Sequence, residues 1–99
     1  MYETNNEKKY EISEEDIRLM LDLFLTKIEE MNLHLNLKEF YEIKDFAKKY
    51  CLVLEDCEED TGTELIEKFT FIYKGKALKL YHLKSYSSDF EIIHLSKYA

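Results

Sequence analysis

The chain of 99 residues has no proline, no tryptophan and two glycines, Gly62 and Gly75. Without proline, nothing forces a break in a helix or removes a donor from a strand. Two isolated glycines exclude a glycine-rich, phosphate-cradling loop. Arginine occurs once, at Arg18, against thirteen lysines, and alanine three times. Asn, Ile, Lys, Phe and Tyr are favoured instead. Those preferences follow AT-rich codons and point to a low-GC bacterium, or a phage or mobile element within one.

No apolar run approaches the roughly eighteen residues of a membrane-spanning helix. The N-terminal stretch lacks the basic start and apolar segment of a secretory signal. A cytoplasmic protein with no membrane partner is therefore expected. Cys51 and Cys57 are six positions apart. On one strand they would share a face but lie too far apart to bridge, so reduced, small, at least half-buried thiols are expected.

What the chain does have is charge, unevenly placed. Residues 1–67 carry eight basic and nineteen acidic side chains, a formal −11; residues 68–99 carry six and two, a formal +4, and the two add to −7. Residues 1–12 are polar apart from Tyr2, Tyr10 and Ile12, and read as a flexible arm. Residues 13–99 read as one α+β domain.

Ser13 followed by Glu14, Glu15 and Asp16 is a helix start, a hydroxyl cap with acids at the positive end of the dipole. Ile17, Met20, Leu21, Phe24, Ile28 and Met31 make an apolar stripe at helical spacing. Arg18 and Asp22 stand at i,i+4 on the wet side. Leu19 and Leu23 fall outside the stripe, one turn apart, and are expected either to be covered by another element or to form an oligomer seam. Residues 32–36 alternate and link two helices. Asn36, with Glu39 three places on, predicts a capping box opening a second helix to about Tyr50, with Phe40, Ile43, Phe46, Ala47 and Tyr50 facing the core.

Residues 51–54 read as a short strand, residues 55–60 as an acidic loop, and residues 61–63 as a turn. The strongest β signal follows. A two-residue turn at Lys74 and Gly75 pairs Tyr73 with Lys76, Phe71 with Leu78 and Phe69 with Leu80. The phenylalanines and leucines then share the core face, and Lys68, Thr70, Ile72, Ala77, Lys79 and Tyr81 share the outer one. A last strand runs over residues 90–95. The expected fold is two N-terminal helices on a four-stranded antiparallel meander, in the order ααββββ.

Candidate chemistry is sparse. Asp56, Glu58 and Asp60 have the 1-3-5 spacing of a calcium loop, but Thr61 stands where its sharp turn needs glycine. No Cys or His pair has zinc spacing, so no metal site and no cofactor is expected. No nucleophile stands beside a base in any recognisable spacing, and the chain is not expected to be an enzyme.

Binding remains. Glu55, Asp56, Glu58, Glu59 and Asp60 put five carboxylates into six residues. Such a cluster speeds encounter with a basic partner. The expected function is a small acidic protein-binding module, an inhibitor, immunity or anti-defence protein that occludes a basic, nucleic-acid-handling partner. One alternative is an oligomeric accessory protein, a homodimer through Leu19 and Leu23. Another is weak single-strand binding through Lys68, Lys79 and Tyr81 with Lys74 and Lys76. The net charge of −7 opposes that last reading.

Overall fold

The computed structural model describes residues 12–27 and 32–98. Along the chain the elements are α1 (Glu14–Thr26), β1 (Leu33–His34), α2 (Leu37–Lys49), β2 (Val53–Asp60), β3 (Glu64–Tyr73), β4 (Lys76–Ser85) and β5 (Glu91–Lys97). The five strands form one antiparallel sheet in the order β1-β5-β4-β3-β2. The class is α+β as expected, but the sheet has five strands, not four. The extra strand is β1. Its two residues pair Leu33 with Leu95 and His34 with His94. The alternation over residues 32–36 is too short to distinguish a strand from a linker, and the partner strand holds its two paired residues in place.

Both helices begin as their sequences dictate. The Ser13 side chain accepts from the Asp16 N–H at 3.1 Å. Asn36 accepts from the Glu39 N–H at 2.7 Å, and Glu39 accepts in return from the Asn36 N–H at 2.9 Å. That reciprocal box satisfies two donors that the first turn leaves open. The end of α2 is less obvious. The Leu52 N–H donates to Ala47 and the Cys51 N–H to Lys48, with Cys51 at φ 58°. These are the two bonds of a Schellman motif, with cysteine where glycine is usual. Cys51 and Leu52 therefore belong to the helix end, not to the strand. Both cysteines are free and exposed, against the expectation of half-buried thiols.

The β3–β4 hairpin has the expected register, Phe69 opposite Leu80 and Phe71 opposite Leu78. Lys74 and Gly75 have φ of 49° and 79°, the two positive values that a type I′ turn requires. The helices cover one face of the sheet. Ile17, Leu21 and Phe24 from α1 and Phe40, Ile43, Phe46 and Ala47 from α2 bury against Phe69, Phe71, Tyr73, Leu78, Leu80 and Leu95. Each fully buried leucine or phenylalanine contributes about 1.5–3 kcal/mol. Met20 is half-buried against this core, and Tyr50 lies at its exposed margin. Ile28, Met31 and the arm over residues 1–11 lie outside the described residues; Ile12 packs on the core.

Candidate partner-binding edge

The largest departure from expectation concerns the acidic run. Glu55, Asp56, Glu58, Glu59 and Asp60 do not form a loop. They lie in β2, paired residue by residue with β3 from Glu55 opposite Thr70 to Asp60 opposite Leu65. The run has no strand signature because neither of its faces is buried: every residue from Leu54 to Asp60 is exposed. A strand is read from apolar alternation, and an edge strand beyond the helices needs none.

In the strand order β2 stands last, so its outer backbone edge has no partner strand among the described residues. The register sorts the side chains. Asp56, Glu58 and Asp60 share the helix-covered face with Phe69, Glu67 and Leu65; Glu55, Cys57 and Glu59 share the open face with Thr70, Lys68 and Ile66. From Glu55 to Asp60 the carboxylates form a rim about 17 Å long, on both sides of the sheet plane.

Three of the five have internal partners. Asp56 lies 3.5 Å from the Lys48 ammonium and 3.9 Å from that of Lys44, both on α2. Glu55 accepts from the Thr70 hydroxyl at 3.5 Å. Asp60 accepts from the Gly62 N–H at 2.9 Å and the Tyr86 hydroxyl at 2.8 Å. The Gly62 N–H, then the Tyr86 hydroxyl, hold its carboxyl below the usual range. Glu58 and Glu59 have no hydrogen bond and no ion pair among the described residues.

Behind this edge lies a cluster that the sequence reading missed. The His82 ring is buried, with Nδ1 2.7 Å from Glu67 and Nε2 2.6 Å from Glu91. A neutral imidazole offers one donor and one acceptor, whereas two carboxylates require two donors. Each ring nitrogen thus faces a carboxylate oxygen. The Lys44 ammonium lies 3.9 Å from Glu67, and Phe40 packs edge-on against the ring. Desolvation, then the fields of Glu67, Glu58 and Glu91, raise the Tyr41 hydroxyl above its usual range. The signal was legible: extending the hairpin register by two residues places Glu67 opposite His82. Both ring nitrogens are taken up in hydrogen bonds, and no group of residues suited to a metal ion occurs among the described residues.

The remaining sequence candidates sit apart from the edge. Leu19 and Leu23 are not covered by any described element; they are 60% and 64% exposed on α1. Arg18 does not pair with Asp22. Asp22 instead takes the Lys74 ammonium at 2.7 Å and the Tyr73 hydroxyl at 2.8 Å, tying the hairpin tip to α1. One of the two tip lysines is therefore committed internally. Lys68, Lys79 and Tyr81 do share the open face, where His94 stacks on Tyr81 at 5.2 Å. Burial, then the charges of His34 and Lys79, lower the His94 pKa and favour its neutral form.

No helix of the described residues is long and apolar enough to cross a membrane. Compared with family models, curated proteins and solved structures, the chain matches none.

Proposed function

We propose that the chain is a protein-binding module that uses the acidic β2 edge to occlude a basic, nucleic-acid-handling partner. The observation that carries this reading is the state of Glu58 and Glu59. Both are exposed on the outermost strand, and neither has an internal partner among the described residues. Local structure accounts for Glu55, Asp56 and Asp60 at least in part; it does not account for these two. Carboxylates spaced along an open edge resemble a phosphate backbone in charge, which is what a nucleic-acid groove attracts. The same charges repel a second copy of β2, so the edge is closed to self-pairing while open to a basic surface.

The test is capture from the native host on the immobilised chain, in parallel with the variant E55Q/D56N/E58Q/E59Q/D60N. The parent should retain a basic nucleic-acid-binding protein that salt releases, and should displace nucleic acid from it; the variant should do neither. Equal displacement by both would remove the edge from the mechanism.

A second reading, a homodimer or other accessory assembly, draws on the exposure of Leu19 and Leu23. Sedimentation of the parent and of L19K/L23K tests it. A dimer that the double substitution converts to a folded monomer would establish the seam, and a monomeric parent would eliminate it.

A further inference from the structure

One cleft lies away from the acidic edge. It opens where α1, the end of α2 and the β3–β4 turn converge, and it measures about 230 Å³. Its lining is Arg18, Phe46, Tyr50, Leu52, Tyr73 and Lys74. Pockets for drug-sized ligands start at roughly 300 Å³, so this one suits something smaller.

Arg18 is the chain's single arginine. Its guanidinium lies 4.9 Å from the centre of the Phe46 ring and 5.1 Å from that of Tyr50. Cation–π contact with both rings holds the guanidinium against this wall before any ligand arrives. The other polar groups of the cleft are already engaged. The Tyr50 hydroxyl donates to Glu14 at 2.6 Å, and the Tyr73 hydroxyl and Lys74 ammonium both donate to Asp22. The Arg18 carbonyl accepts from the Tyr73 hydroxyl at 3.4 Å, but its guanidinium makes no hydrogen bond and no ion pair among the described residues. A planar group with five N–H donors thus stands on an aromatic wall without an acceptor.

We infer that this cleft binds a small aromatic monocarboxylate, its carboxylate paired side-on with the Arg18 guanidinium and its ring lying on the exposed parts of Tyr50 and Leu52. The geometry of the fork matches a carboxylate. The number of charges argues against a dianion. Lys74 is neutralised by Asp22, and Glu14 and Asp22 flank the cleft. One guanidinium charge without a direct ion pair, already in the fields of Glu14 and Asp22, suits one negative charge at most. The apolar and aromatic walls supply the remaining contact area.

Benzoate is the probe, titrated at pH 7 and low salt into the full chain while amide and arginine side-chain N–H signals are followed by NMR. The expected result is saturable shifts at the Arg18 Nε–H and at the amides of Tyr50, Leu52 and Lys74. R18Q should abolish them. R18K should weaken binding at least tenfold, because an ammonium cannot form the two parallel bonds. Benzyl alcohol, which has the ring without the charge, should give no saturable shift, and phenyl phosphate should bind more weakly than benzoate. An absence of saturable shifts in the parent, or shifts that persist in R18Q, would overturn the site. Tighter binding of phenyl phosphate would overturn the monoanion assignment. Arg18 is exposed, so both variants should keep the parent's circular dichroism. Should R18Q lose its fold, R18K decides alone, and parent-like affinity in R18K would overturn the side-on pairing.

Discussion

Glu58 and Glu67 stand opposite each other across β2 and β3, two glutamates in directly paired positions on the same face of the sheet. Glu67 is enclosed by donors from two directions, His82 on β4 and Lys44 on α2. Glu58 has no hydrogen bond or ion pair among the described residues. Residue type and strand geometry are the same; what differs is distance from the helical layer. One strand further in, a carboxylate becomes part of the fold. One strand further out, it remains available to something else. Like charges opposite each other also destabilise the pair, so Glu58 is kept at a cost to the sheet.

This contrast can be broken from either side. The largest effect should come from the enclosed cluster. H82L leaves Glu67 and Glu91 without their shared donor, and stability should fall by about 3 kcal/mol, read from the urea midpoint. The figure sits at the low end for a broken buried pair because the Glu91 side chain is 37% exposed. A loss under about 0.5 kcal/mol would mean that the cluster is not enclosed as described. Next comes the anchor of β2. Cys51 occupies the left-handed region that glycine adopts freely, so C51G should raise stability by about 1 kcal/mol. Loss of stability would show that the cysteine side chain has a packing role.

E58K sharpens the comparison most. It replaces a repulsive cross-strand pair with an attractive one and should stabilise the sheet by about 0.5 kcal/mol. On the proposed function it should weaken partner binding at the same time. Stability and binding moving in opposite directions is the signature of a residue retained for recognition.

The smallest effect is D60N. The folded Asp60 carboxyl is held below its ordinary 3.8. Its contribution is therefore present above that value and is lost as pH falls through the folded value. D60N should lower stability slightly at pH 7, and its difference from the parent should vanish as pH falls well below about 4, which flattens the acid limb. An unchanged acid limb would mean that Gly62 and Tyr86 do not hold the carboxylate in solution.

Much of this was legible in the residues. Ser13 and Asn36 marked both helix starts because capping chemistry is local. The Lys74–Gly75 turn set the hairpin register because its positive φ values admit few alternatives. That register also contained the Glu67–His82 pairing, although the third member, Glu91, requires the pairing of β4 with β5. Two parts were not legible. β1 is held by β5, and the alternation over residues 32–36 is too short to tell a strand from a linker. β2 is a strand because β3 overhangs the helices and offers a free edge; its own sequence, rich in acids, argues for a loop. Cys51 misled for a related reason, since an apolar neighbourhood resembles a strand start when the helix end lacks its usual glycine. The acidic residues were found and their element was not, which moved the candidate surface from a loop tip to a rim along the sheet.

The central claim is that this rim, and Glu58 and Glu59 above all, receives a basic partner. The most direct measurement is the association rate constant of the captured partner with the parent and with E58Q/E59Q, taken at about 50 and 200 mM salt. The account predicts association at low salt at least tenfold slower for the variant, a steep salt dependence in the parent that the variant loses, and a urea midpoint no lower than the parent's. Equal rates and equal salt dependence in two folded proteins would contradict it.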